Sequence, residues 1–421
     1  MRVSSLFQAN WRNTPAGYLA RFIILSVLSV LSGCAATERV TDYFKGGSDN
    51  AEPPNPLVEF RPLINVIELW KKNNGVGTDE QYLKLAPVIV NQRLYVVDSV
   101  GSVGAMDATN GKRLWQEKIA ESESVDGKSG WFRGGDIQIT GGPGYGENTL
   151  IVGSMEGEVI SLSAENGSEL WRTRVTSEVL SAPQRASDIV IVRTIDGKVF
   201  GINGENGRRL WIYDRTVPPL TLRGTSTPAI DSGIVVAGFD GGKMAALDVR
   251  TGKLLWEISI AAARGRSELE RMVDIDSTPV IVDGTVYIAT FQGHVAAVQL
   301  DTGRILWSSD LSSYAGFSTD EQNVYVTDEN SHVWALDRFS GTVLWEQEDL
   351  HARAATAPGA VGDQIVVGDL EGYLHWIGKT TGEFSARTRL CKEPIIAKPI
   401  VVGEIVYAYC SDGRLAAFTY R

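Results

Sequence analysis

Residues 285–307 read TVYIATFQGHVAAVQLDTGRILW. Apolar residues alternate from Thr285 to Ile288, a glycine-containing turn follows, a second apolar strand runs towards Asp301, and Gly303 precedes Trp307 by four residues. Period-2 alternation of this length predicts a strand with one buried face. The same order recurs in 324–345, which reads VYVTDENSHVWALDRFSGTVLW, and in 234–256, which reads IVVAGFDGGKMAALDVRTGKLLW. Further copies lie at 94–115, 150–171 and 190–211, and weaker ones at 365–386, where Ala386 takes the Trp slot, and at 405–418. Asp196-Gly197, Glu371-Gly372 and Asp412-Gly413 supply the positive-φ turns that tight hairpins need.

The Trp slots fall at 70, 115, 171, 211, 256, 307, 345 and 386, a spacing of about 45 residues. A repeat of that length made only of strands predicts a β-propeller, whose radial closure protects sheet edges. Eight slots predict an all-β, eight-bladed ring of four-stranded antiparallel blades. The last module stops at Arg421 without a Gly-to-Trp strand, whereas Ile64–Trp70 is such a strand with no module before it. The two fragments complete one blade, so the ring is expected to close by an N-terminal strand joining the C-terminal sheet.

The first 33 residues have a different character. Arg2, Arg12 and Arg21 precede the run FIILSVLSVL at 22–31, the layout of a secretory signal. Ten residues are too few to span a bilayer as a mature helix, which takes about 20. The run ends in Leu31-Ser32-Gly33-Cys34, which resembles the bacterial lipobox. That resemblance implies removal of residues 1–33, acylation of Cys34 and anchoring in lipid. Ala35 follows, not the Asp that resembles an inner-membrane retention signal, so the expected place is the periplasmic face of the outer membrane. Residues 34–56 are polar and carry Gly46-Gly47 and three prolines. They read as a flexible tether reaching about 75 Å when extended, ahead of a propeller over 57–421.

Composition narrows the function. The chain carries 40 Lys and Arg against 51 Asp and Glu, a formal charge of −11. Without the three arginines of the leader the body stands at −14, which argues against nucleic-acid binding, since that needs a basic footprint. The four histidines show no metal-ligand spacing. His294 and His332 share one hairpin slot, which elsewhere holds Lys198, Glu158 and Arg414. Gly142-Pro143-Gly144-Tyr145-Gly146 lacks the Lys-Ser/Thr of a phosphate loop and reads as a long connection between blades; Gly127-Lys128-Ser129 lacks the required first glycine. Cys391 and Cys410 remain after Cys34. With Gly403 at the strand turn, Cys410 opposes about residue 396 and leaves Cys391 some five residues out of register. A disulfide and two separate thiols both stay open.

The Val-Tyr-Val, Asp-Gly, Ala-Leu-Asp, Thr-Gly-x-x-x-Trp module resembles the repeat of pyrroloquinoline quinone (PQQ) dehydrogenases. A quinone enzyme of that kind often clamps its cofactor with adjacent cysteines, and no Cys-Cys pair occurs here. Together with the lipobox, the repeat more closely resembles the BamB family of lipoproteins of the outer-membrane β-barrel assembly machinery, over nearly the whole mature chain. The stretches that carry it are Pro219–Gly224 (PLTLRG), Asp274–Pro279 (DIDSTP) and Glu371–Ile377 (EGYLHWI). The resemblance implies a non-enzymatic scaffold without cofactor or metal, docking on a periplasmic POTRA domain of BamA and assisting insertion of outer-membrane proteins, with nascent barrels as further partners; the alternative is a periplasmic PQQ-dependent dehydrogenase. It also implies a BamA-binding patch of Leu220, Leu222 and Arg223 with Asp274 and Asp276. From the residues alone, Leu220 and Leu222 at i, i+2 spacing read equally as core or as an exposed anchor beside Arg223.

Overall fold

Alternating strands with glycine turns do form eight separate four-stranded sheets. In the computed structural model, which describes residues 52–79, 81–120, 137–215, 226–261 and 272–421, each sheet is one module. The first blade holds β2 (Val88–Val90), β3 (Arg93–Val97), β4 (Ser102–Asp107) and β5 (Arg113–Lys118); the second β6 (Ile139–Gly146), β7 (Thr149–Ser154), β8 (Glu158–Ser163) and β9 (Glu169–Arg174). The third comprises β10 (Gln184–Ala186), β11 (Ile189–Arg193), β12 (Val199–Asn203) and β13 (Arg209–Tyr213), and the fourth β14 (Ala229–Asp231), β15 (Ile234–Phe239), β16 (Lys243–Asp248) and β17 (Leu254–Ser259). The fifth has β18 (Val280–Val282), β19 (Thr285–Ala289), β20 (Val295–Gln299) and β21 (Ile305–Ser309), and the sixth β22 (Gly316–Thr319), β23 (Asn323–Thr327), β24 (Val333–Asp337) and β25 (Val343–Gln347). The seventh is β26 (Gly359–Val361), β27 (Gln364–Gly368), β28 (Tyr373–Gly378) and β29 (Phe384–Arg389).

The eighth blade is composite. Its order is β1-β32-β31-β30, with β30 at Ile400–Val402, β31 at Ile405–Tyr409, β32 at Arg414–Tyr420 and β1 at Val66–Asn73. Trp70 pairs with Ala417 and Asn73 with Arg414, antiparallel, which is the closure expected from the incomplete ends. First strands of neighbouring blades approach one another, as in β2–β6, β10–β14 and β26–β30, and so surround the axis. Second and third strands are almost wholly buried, whereas fourth strands such as β5 and β17 are mostly exposed.

The tryptophans explain how blades hold together. Trp70 donates its indole N–H to the Ala108 carbonyl of the next blade at 2.9 Å, Trp171 to Gly204 at 2.9 Å and Trp256 to Leu300 at 2.7 Å. Equivalent bonds come from Trp115, Trp211, Trp307 and Trp345. Under each ring lies the glycine of the next blade's last turn. At Gly207, with φ of +73°, an added Cβ would stand 2.7 Å from the Trp171 ring. The Thr-Gly-to-Trp spacing therefore encodes a ring packed on a bare backbone and anchored by one hydrogen bond.

One reading needs correction. Residues 142–146 are not a connection: they lie within β6, the first strand of the second blade. A Cβ on Gly144 would fall 1.7 Å from the Pro183 carbonyl oxygen, so these glycines let two neighbouring blades approach at the axis, and a glycine-rich strand is easily taken for a loop. Residues 127–129 lie outside the described residues. The open question of the cysteines is also answered. Cys391 and Cys410 form a disulfide with Cα atoms 6.6 Å apart. Cys391 follows β29 of the seventh blade and Cys410 follows β31 of the eighth, so the bridge runs between blades and hairpin register does not govern it.

Candidate functional site

The segment leading into β18 is buried without a break from Met272 to Ser277. Met272, Val273 and Ile275 enter the core, and Ile275 packs on the bare Gly238. Asp274 and Asp276 are buried too, at 1% and 8% exposure. The Asp274 carboxylate accepts from the Gly241 N–H at 3.2 Å, and its carbonyl accepts from the Phe291 N–H at 2.8 Å. Ser277 Oγ donates to the Ala289 carbonyl at 2.6 Å. The segment is thereby pinned to the turns of the fourth and fifth blades.

Arg193, at the end of β11, stands at the centre of the charges around this segment. It is 1% exposed, lies over the Phe239 ring at 5.2 Å and approaches Asp240 at 3.7 Å. Its Nε and Nη1 have no hydrogen-bond partner among the described residues, and neither has Asp276 Oδ1. Burial pushes the Arg193 guanidinium down, opposed by Asp240, Asp276 and Asp274. Burial pushes the Asp240 carboxyl up to about 6, opposed by Arg193 and reinforced by Asp274. Asp276 is likewise pushed up to about 6 by burial; Lys84 and Arg193 oppose this, and Asp274 and Asp240 add to it. Arg193 thus faces Asp240 directly and acts on Asp274 and Asp276 through its charge, while the Asp274 carboxylate positions the backbone at Gly241.

Beside this cluster opens a cavity of about 1000 Å³ at one mouth of the ring, bordered by Tyr82, Lys84, Tyr314, Leu370 and Ile395 among others. Lys84 Nζ donates to the Tyr314 carbonyl at 2.9 Å. Lys84 is open to the cavity's interior but walled in by these loops, which lowers its pKa, opposed by Asp276. Tyr82 is likewise open to the cavity yet walled in by the loops around it, which, with Tyr314 and Asp276 adding, pushes its hydroxyl up to about 12.

Of the residues singled out in the sequence, the structure places Asp274 and Asp276 together; Leu220, Leu222, Arg223 and Cys34 lie outside the described residues. Arg193 and Asp240 escaped the sequence reading. An arginine ending the apolar run Ile189–Val192 was the available signal, because a buried charge requires partners. His294 and His332 occupy equivalent turns, where their peptide N–H groups donate to Thr290 Oγ1 and Asp328 Oδ1. Among the described residues, a grouping with metal-ligand geometry occurs at Cys391, Cys410 and Asp412. Both sulfurs are bonded to each other there, so they offer no thiolate.

The family model described as outer membrane protein assembly factor BamB matches residues 101–347 and 337–421. An outer membrane protein assembly factor BamB of Xanthomonas campestris pv. campestris is 39% identical over 391 residues, covering 92% of this chain and 94% of that protein. The crystal structure of BamB from Moraxella catarrhalis superposes with a TM-score of 0.73 at 28% identity, covering 84% of this chain and 100% of that one. A quinohemoprotein alcohol dehydrogenase from Comamonas testosteroni superposes with a TM-score of 0.64 at 15% identity, covering 84% of this chain and 76% of that one. This last likeness is one of fold alone.

Proposed function

We propose, from the premise that this chain belongs to the BamB family of outer membrane protein assembly factors, that it is a lipid-anchored scaffold which docks on a periplasmic POTRA domain of BamA and assists insertion of outer-membrane proteins. Relatives that match nearly the whole chain are assembly factors, and the chain is accordingly no enzyme. The observation that carries the docking reading is the buried cluster at Arg193. It keeps Asp274 on the Gly241 N–H and Asp276 buried in the field of Arg193, which suits a platform better than a reacting centre. In this reading Leu220 and Leu222 are apolar anchors, Arg223 is a charged fork beside them, and Asp274 and Asp276 orient Arg223 or accept bonds from the partner. Residues 1–33 are removed, Cys34 is acylated, and residues 34–56 form the tether from the outer membrane into the periplasm.

Arg223→Glu is expected to abolish co-purification with BamA while the melting temperature stays unchanged, and Leu220→Ala with Leu222→Ala to do the same. Loss of a hot-spot side chain costs at least about 2 kcal/mol, roughly thirtyfold in affinity. Leucine variants that melt far lower, with Arg223→Glu binding normally, would place both leucines in the core and the patch elsewhere. Mass spectrometry of membrane fractions from the native host is expected to find lipid on Cys34 as the mature N-terminus; an unmodified Cys34 there would refute the anchor.

A further inference from the structure

We propose that the Cys391–Cys410 disulfide is a redox-sensitive lock on the closure of the ring, placed at the one seam whose tryptophan slot is filled by another residue. Seven slots clamp a tryptophan onto the last turn of the next blade. At the seventh-to-eighth seam the slot holds Ala386. The eighth blade also has no such turn to receive a ring, because the outer neighbour of β32 is β1, which does not follow it in sequence. In place of an indole clamp, the Tyr420 hydroxyl donates to Asp363 at 2.8 Å across the outer part of this seam.

The disulfide joins the two blades at that seam. Cys391 is 3% and Cys410 0% exposed, and both belong to the apolar cluster formed with Trp376, Ile395 and Phe418. Cys410 begins the β31–β32 turn, and that turn is the meeting point of both chain ends. The Ser411 N–H donates to the Pro394 carbonyl at 2.9 Å on the seventh-blade side. On the other side its carbonyls accept from the loop after β1: Ser411 from the Thr78 N–H at 2.9 Å and Gly413 from the Asn74 N–H at 2.8 Å. Lys71 of β1 also donates to the Leu390 carbonyl, next to Cys391. The same residues form part of the wall of the axial cavity, through Gly75, Thr78, Pro394, Ser411 and Asp412. One covalent bond therefore holds the closing strand, the last turn and the cavity wall in register.

Unlocking is a two-electron reduction by a dithiol. A thiolate of the reductant attacks one sulfur, the S–S bond breaks through a mixed disulfide, and the second reductant thiol resolves it. Cys391 and Cys410 end as thiols carrying the two protons, and the reductant ends as a disulfide. Both sulfurs are buried, so exchange with the reductant requires local opening of the turn, and once reduced the seam keeps only its non-covalent contacts.

Hydrogen exchange of the mature protein, oxidised and then reduced with dithiothreitol to two free thiols, tests this. Amides in 66–79, 390–396 and 405–420 are expected to exchange at least about tenfold faster after reduction, with the second to fifth blades unchanged. The Cys391→Ser, Cys410→Ser double variant should match the reduced protein; if it does not accumulate, the reduced wild type decides. Equal exchange in both redox states, or acceleration spread evenly over all blades, would overturn the lock.

Discussion

Removal of residues 57–72 is expected to yield a protein that associates into soluble oligomers or aggregates and loses its cooperative melt. The deletion takes away most of β1, and with it the antiparallel pairing that runs from Val66–Tyr420 to Asn73–Arg414. The outer edge of β32 would then present a row of unpaired peptide groups, a template for pairing with another chain. It also removes Trp70, whose ring packs on Gly111 and whose N–H holds the Ala108 carbonyl, so the eighth-to-first seam loses its clamp. Phe60, stacked on Phe384 at 5.4 Å, goes too. Size-exclusion chromatography with light scattering and thermal denaturation measure the outcome. A deletion variant that stays monomeric with an unchanged melt would show that the ring does not depend on this strand.

Asp369→Ala is the point substitution with the largest expected effect, a loss of about 3–5 kcal/mol, because it strips a buried acceptor from His375 and from two peptide N–H groups and leaves the buried Arg353 with only the half-exposed Glu371 as counter-charge. Asp369 is fully buried and accepts from Arg353 Nε at 2.9 Å, from His375 Nε2 at 3.0 Å and from the peptide N–H groups of Glu371 and Tyr373. His375 Nδ1 in turn accepts from Arg387 Nε at 3.1 Å, so the imidazole is neutral with its proton on Nε2. Both arginines hold the incoming chain: Arg353 donates to the Asn55 carbonyl, and Arg387 to that of Val58 while lying 5.0 Å over the Phe60 ring. Asp369→Ala should therefore also expose 55–60 to proteolysis, and Asp369→Asn, which keeps an acceptor, should cost less. Denaturant unfolding with limited proteolysis reads both; wild-type stability in Asp369→Ala would refute the network's weight.

Acid should weaken the same network. Burial pushes the His375 pKa down, opposed by Asp369, so below about 6.5 the unfolded chain binds a proton that the folded one resists. Its contribution is complete above that pH and fades as pH falls towards the depressed folded value. For Asp369, burial pushes upward, but His375 and Arg353 hold the carboxyl below its usual range. Its contribution is lost later, as pH falls through that lower value.

Much of the ring is local information. Alternation, a glycine turn and a Gly-to-Trp interval belong to contiguous residues, so Thr285–Trp307 declares a blade without its neighbours. Counting the tryptophan slots and noting two incomplete ends then gives the number of blades and the closing strand. Of the candidate site, the aspartates at 274 and 276 were legible as a pair, since i, i+2 spacing is also local. Their burial around Arg193 was not, because Arg193, Asp240 and Asp276 come from different blades.

What the sequence by itself determined was therefore every feature with a short period: blade type, blade number, turn positions and the halves of the composite blade. Only the tertiary structure decided which distant residues meet across seams. It joined Cys391 to Cys410 across two blades, made the glycines of 142–146 a strand at a crowded axis, and set Arg353 and Arg387 on the chain leading into β1. The reason is physical: hydrogen bonding within a blade follows sequence neighbours, whereas packing between blades depends on how closing the ring brings side chains together that no spacing relates.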